Sequence, residues 1–172
     1  MALVSEEGKI SREEVLAFIR QHHLAVIATA DLEGSPEAAL INIAVTPEFE
    51  IIFETTNATR KFVNLRRNPD AALVIGWDKD QTLQCSGIVD EPEGRQLDRL
   101  KSIFLSAHPD YASHEFWPGN HYFRLTPRWV RFSNYNQPRR IAELDLADRP
   151  AGGRKRRGIF SKFPGMHLGF QR

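Results

Sequence analysis

Cysteine is almost missing: Cys85 is the single one in 172 residues. That excludes an internal disulfide and makes a reducing, cytoplasmic setting the expectation. Long apolar runs are missing too, and none approaches the ~20 residues of a membrane helix. The opening MALVSEEGKI has neither a basic start nor an extended apolar segment, so no secretory signal is expected. The six histidines form no H-E-x-x-H or comparable pair, which leaves no candidate metal ligands. Gly-rich phosphate loops and nucleophile elbows are absent.

What remains is an ordinary globular composition, 41% hydrophobic and 26% charged, long enough for one well-cored domain. The net charge of +1 hides an asymmetry. Residues 148–172 carry seven basic residues against Asp148 alone, a local charge of +6, while residues 1–147 hold 16 basic and 21 acidic residues. The boundary falls at RPAGGRKRRG, which reads as a linker or tail. The expected organisation is a domain over 1–147 and a basic C-terminal tail over 148–172. Short basic runs are usually solvated, so neither nucleic acid nor a membrane is an expected partner.

In SREEVLAFIRQHH, Ser11 and Glu14 form a capping-box pattern, and Val15, Phe18 and Ile19 share one helical face. LAVIATAD, EAALINIAV and EIIFET follow as strands, joined by the turns DLEGSP and TPEF. Connections this short suit an antiparallel meander. Thr59 is placed to cap a short helix, TRKFVNLRR, which Asn68-Pro69 stops. AALVIGW and TLQCSGIVD make a second hairpin around Asp78–Gln81. Pro92 suits the first turn of a helix with an apolar stripe at Leu97, Leu100, Ile103 and Phe104. HYFRLT and RWVRFSNY read as the last strands. The fold class is mainly β, a small closed or split barrel with flanking helices.

The segment TTNATRKFVNLRRNPDAALVIGW poses the functional question. A helix start is the positive end of the macrodipole and favours acids, yet this one opens with Arg60-Lys61. Free N–H groups there, with the Thr59 hydroxyl, a guanidinium and an ammonium, would cradle a phosphomonoester. The alternative is a solvated surface pair.

Over residues 12–132 the sequence resembles the pyridoxamine 5′-phosphate oxidase-like, FMN-binding split-barrel superfamily. The most specific likeness is strand, Thr-containing turn, Arg-Lys, short helix, Asn-Pro and strand across residues 55–77. The resemblance implies a six-stranded antiparallel split barrel, a homodimer with FMN between subunits, and contacts to FMN from Thr55, Thr56, Thr59, Arg60 and Lys61. It also implies that the strand Ala39–Ala44 runs along the flavin edge, where Asn42 either adds an amide or is simply solvated. Gln84 lies on the strand Thr82–Val89 that approaches the flavin from the other side. Whether Thr82 or Gln84 faces the cofactor is open, because a one-residue slip in register swaps faces. Cys85 reads as a buried small residue.

EFWPGNHYFRLTPR resembles, more weakly, the C-terminal signature of authentic pyridoxamine phosphate oxidases. Trp117 matches its flavin-contacting Trp, and Arg124 and Arg128 match its two arginines. Thr126 and Pro127 replace its His and Asp, which argues against that particular activity. The plainer reading is a barrel strand starting at His121, with Trp117 as a packed aromatic. The implied function is a flavin-dependent oxidoreductase acting on a small organic substrate, with a nicotinamide electron donor as a candidate partner and no protein acid or base required. Rivals are a non-catalytic flavin-binding or redox-sensing module, and a deazaflavin- or haem-binding barrel.

Overall fold

The computed structural model describes residues 10–146, so the basic tail lies outside the described residues. Helix α1 (Arg12–Gln21) begins at Ser11, whose hydroxyl accepts from the Glu14 N–H while the Glu14 carboxylate accepts from the Ser11 N–H at 2.8 Å. Strands β1 (Leu24–Ala30) and β2 (Pro36–Asn42) form the first hairpin. After Ile43 the same run continues as β3 (Ala44–Val45), which pairs with β4 (Ile51–Thr56). Helix α2 (Arg60–Arg67), strands β5 (Asp70–Ile75) and β6 (Gln81–Asp90), and helix α3 (Gly94–Ala107) follow. A 3₁₀ segment (Pro109–Phe116), β7 (Asn120–Asn134) and β8 (Arg140–Asp145) complete the fold.

All pairings are antiparallel, in the order β2-β1-β5-β6-β7-β4-β3, with β8 beside β7. The run β2–β3 bends at Ile43 and belongs to both ends of that order, which curls the sheet into a barrel. This corrects the simple meander: α2 carries the chain back so that β5 pairs with the free edge of β1. The sheet has eight strands rather than six. Two differences account for this: EAALINIAV is cut in two by its bend, and β8 is an addition the sequence did not announce.

The last expected strands, HYFRLT and RWVRFSNY, are one continuous strand. Pro127 survives inside β7 because a bulge lies there: Ser86 opposes Trp129, Gly87 opposes Pro127, and Arg128 is the extra residue. The bulge requires Gly87, since a Cβ at that position would lie 2.2 Å from the Thr126 carbonyl oxygen. Pro92 precedes α3 instead of opening it; the helix starts at Gly94.

Inside the barrel, Ile27, Ile51, Phe53, Leu73, Leu83 and Leu125 are fully buried, and α1 adds Val15 and Ile19. Helix α2 packs against β1 and β2 through Leu65 and through the Asn64 amide, which donates to Thr29 Oγ1 at 3.2 Å and Glu37 Oε2 at 3.1 Å. The outer surface divides in two. Over β3, β4 and β7, helix α3 packs Leu100 and Phe104 onto Ala44, Ile52 and Tyr122. Over β2, β1, β5 and β6, the outward positions Leu40, Ala38, Ala28 and Ala72 remain exposed, with Leu40 at 59%.

Candidate functional site

The β4–α2 turn is built as its residue types dictate. The Thr59 hydroxyl accepts from the Phe62 N–H at 3.3 Å and donates to the Thr56 carbonyl at 3.0 Å, which fixes the cap. Thr55 Oγ1 lies 3.0 Å from Thr59 Oγ1, so a buried and a half-buried hydroxyl meet beneath the helix start. No acidic residue occupies the first turn of α2. Arg60 is exposed, Lys61 is half-buried, and neither forms an ion pair among the described residues. The other end of α2 differs: Arg66 sits at the favourable negative pole and pairs with Glu91 at 2.6 Å. Arg60 and Lys61, without an ion-pair partner among the described residues, stand at the positive pole beside the first-turn N–H groups. These form a donor set without an acceptor, while the Thr55 and Thr59 hydroxyls are spent on each other and on the Thr56 carbonyl. That donor set fits a phosphate.

A second group adjoins this turn. The Asn57 N–H donates to the Gly119 carbonyl at 2.8 Å, tying the turn to the loop that carries Trp117. Trp117 is half exposed and stacks on the His114 imidazole at 3.7 Å between ring centroids. It is therefore neither a buried core aromatic nor an isolated one. His114 Nδ1 lies 2.6 Å from Glu54 Oε1, and the Asn120 amide donates to Glu54 Oε2 at 2.8 Å. The Asn42 amide donates to the Tyr111 hydroxyl at 2.6 Å, so Asn42 is neither solvated nor free. Tyr111 packs edge-on against His114, which joins Asn42 to this cluster.

Gln84 and Arg128 lie elsewhere, on the uncovered flank. Thr82 and Gln84, two residues apart, share the same outward face while Leu83, Cys85 and Val89 point into the core, so the choice between them was a false one. Burial pushes the Cys85 thiol up to about 12, which makes it inert. Arg128, the bulged residue, lines an open groove of about 460 Å³ with Ala28, Pro36, Ala72, Ser86 and Gly87. Arg124 is absent from this groove; its guanidinium bonds both oxygens of Asp90 and reaches Glu50 at 2.9 Å.

Within one chain, then, Asn42, Thr55, Thr56, Thr59, Arg60, Lys61 and Trp117 gather around the end of β4, whereas Gln84 and Arg128 do not join them. Sequence reasoning missed Glu54, Tyr111 and His114. The signal was thin: three polar residues in otherwise apolar or loop segments, joined only by contacts 60 and 69 residues apart in the chain. Among the described residues no three His, Cys, Asp or Glu side chains converge on a point that could hold a metal ion, and no helix is long and apolar enough to cross a membrane.

Comparison with known proteins shows the family and the fold. Residues 11–134 match the family described as pyridoxamine 5′-phosphate oxidase. A curated relative, the pyridoxine/pyridoxamine 5′-phosphate oxidase of Bordetella pertussis, is 25% identical over 87 residues, 50% of this chain and 41% of its own length. The match thus spans about two fifths of that relative. Among solved structures, a heme binding protein from Mycobacterium smegmatis superposes with a TM-score of 0.69 at 18% identity, covering 80% of this chain and 59% of that one. A putative pyridoxamine 5′-phosphate oxidase from Listeria innocua gives a TM-score of 0.59 at 20% identity, covering 70% and 95%. At such identities the structural likeness establishes the split-barrel fold and nothing finer.

Proposed function

The chain belongs to the pyridoxamine 5′-phosphate oxidase family, and from that premise we propose that it is an FMN-binding, cytoplasmic flavoprotein. In this reading it acts as a homodimer and an oxidoreductase on a small organic substrate, with a nicotinamide as a candidate electron donor. The observation that carries the proposal is the acid-free first turn of α2, where Arg60 and Lys61 make no ion pair among the described residues. Arg60, Lys61 and the first-turn N–H groups would hold the phosphate, and the Thr55 and Thr59 hydroxyls fix the turn that presents them. Trp117 would offer an aromatic face to the ring system. Bound there, FMN supplies two-electron chemistry; the chain's own work is to fix position and exclude water.

Gln84 and Arg128 enter this reading only through a second copy. The uncovered flank that carries them is apolar enough to meet another subunit, which would bring its Gln84 and Arg128 toward the first chain's cradle. Oxidation of pyridoxamine 5′-phosphate itself is not part of the proposal, because Thr126 stands where authentic oxidases carry a His, and a neutral hydroxyl lacks an imidazole's charge and reach.

Haem is the second reading, favoured by the likeness to the Mycobacterium smegmatis heme binding protein. The absorption spectrum of the purified protein, followed by titration of the apo form with FMN and with hemin, separates the two. Flavin bands and tighter binding of FMN than of riboflavin are expected. A Soret band with no affinity for FMN overturns the proposal.

A further inference from the structure

We propose that Glu54 and His114 form a proton-exchanging pair facing the substrate of the flavin site, a role that rests on the reading above. An ionised carboxylate only accepts, so the 2.6 Å contact between Glu54 Oε1 and His114 Nδ1 places the proton on Nδ1. That leaves Nε2, which makes no hydrogen bond among the described residues, as the nitrogen that gives or takes a proton. The pair is held from several sides. The Asn120 amide bonds Glu54 Oε2 at 2.8 Å and the His114 carbonyl at 3.0 Å, so one side chain fixes both partners. The indole of Trp117 covers one face of the imidazole, and Tyr111, anchored by Asn42, packs against it.

The charged and titratable groups around the pair are few. From β7, the buried Tyr122 hydroxyl faces Glu54, and burial together with the Glu54 charge raises its pKa, so it stays neutral. From the 3₁₀ segment, Glu115 is already paired with Lys101 of α3 at 2.8 Å. The imidazole side chain is only 19% exposed and Glu54 10%, an enclosure more typical of a working group than of a surface ion pair. Beside them Phe116, 83% exposed, and Trp117, 51% exposed, offer flat apolar surface.

These features define a ligand class: a planar electron acceptor whose reduced form carries a new proton on oxygen or nitrogen, as a quinone does. With Nδ1–H held by Glu54, Nε2 first takes a proton from water, and the imidazolium then passes that proton to the heteroatom, its N–H electron pair staying on the imidazole. Bound FMN in its reduced form would supply the two electrons, so the pair moves charge as a proton only. Glu54 is the positioning residue and His114 the proton donor.

The test has two arms. In the first, ¹⁵N spectra of the histidine imidazoles in the apo protein should show His114 with its proton on Nδ1, and Glu54→Gln should erase that preference with the fold unchanged. In the second, reduced FMN-loaded protein is reoxidised by menadione, which takes up protons, or by ferricyanide, which does not. His114→Gln should slow the menadione reaction about 100-fold and remove one ionisation from its pH profile, while ferricyanide reacts as with wild type. Equal rates with menadione in wild type and variant, or equal slowing with both oxidants, would overturn the assignment. A neutral wild-type His114 carrying its single proton on Nε2 instead of Nδ1 would do so as well. Failure to bind flavin would sink the preceding reading instead, and the pair would then be judged on the imidazole spectrum alone.

Discussion

The two outer flanks of this barrel use the same strand chemistry to opposite ends. On the covered flank, Ile52 and Tyr122 point outward from β4 and β7 and are buried by Leu100 and Phe104 of α3. Charges then tether the helix: Arg99 reaches Glu48 and Glu50, and Arg124 bridges Glu50 and Asp90. On the bare flank the outward residues of β2, β1 and β5 are just as apolar, yet Leu40 and Leu24 stay 59% and 39% exposed. An apolar sheet face left open in this way marks an interaction site more often than an accident. One flank is finished within the chain, and the other is the flank proposed to meet a second copy. The candidate site residues follow the same division, with the proposed phosphate cradle at the end of β4, and Gln84 and Arg128 on the open side.

The largest effect should come from the covered flank. Phe104 is fully buried at the centre of the second core cluster. Phe104→Ala should cost about 3–5 kcal/mol of stability, read as a lowered denaturant midpoint with an unchanged slope. Leu40→Ala, on the open flank, should leave the stability of the isolated chain nearly untouched. Similar losses at both positions would mean that the flanks do not differ as described.

Next in size is the open flank itself. Leu40→Asp would place an unpaired charge in an apolar contact, a penalty of about 3 kcal/mol or more. The dimer should therefore dissociate at least about 100-fold more readily, seen by light scattering across a dilution series. A wild-type protein that is monomeric at micromolar concentration with flavin bound would remove the second copy from the proposal.

Much of this was legible in the sequence, and the residues show why. Capping is local, so Ser11 with Glu14, and Thr59 with Phe62, were readable from spacing of three. The Arg60-Lys61 anomaly was equally local, because the macrodipole argument needs only a helix start and no acid beside it. What escaped depended on distant partners. β7 runs through Pro127 only because Gly87, forty residues earlier in the chain, lets its backbone come close. β8 packs Leu144 against the barrel core but offers too short a pattern to be read as a strand alone. The pairing of Glu54 with His114 has no sequence signature at all.

The phosphate cradle gives the third prediction. Arg60→Ala and Lys61→Ala should each weaken FMN binding about 10- to 100-fold, the loss of one charge-assisted hydrogen bond of about 1.5–3 kcal/mol. Riboflavin, which has no phosphate, should bind wild type poorly and respond to neither change. Titration by flavin fluorescence reads both ligands on the same samples. Equal weakening of FMN and riboflavin would point to structural damage, and no effect on either would make the pair surface decoration.

The smallest effect belongs to a seam that lies on neither flank. Arg140 of β8 reaches Glu14 of α1 at 2.8 Å. Its guanidinium, with help from the Ser11 N–H, holds the Glu14 carboxyl down to about 2 from an ordinary 4.5. A carboxyl with a depressed folded-state pKa adds stability that is present above its unfolded pKa and is lost as protons bind. The contribution should therefore be intact above about pH 4.5 and fade as pH falls toward about 2. Glu14 is fully exposed, so salt screens the pair and the effect is small. Glu14→Gln should remove part of the acid limb of the melting temperature between those two pH values and leave the neutral-pH dimer and FMN affinity where they were. A shift in dimerisation or flavin binding on this substitution would show that the α1–β8 seam communicates with the open flank, and the separation of the two flanks would then have to be redrawn.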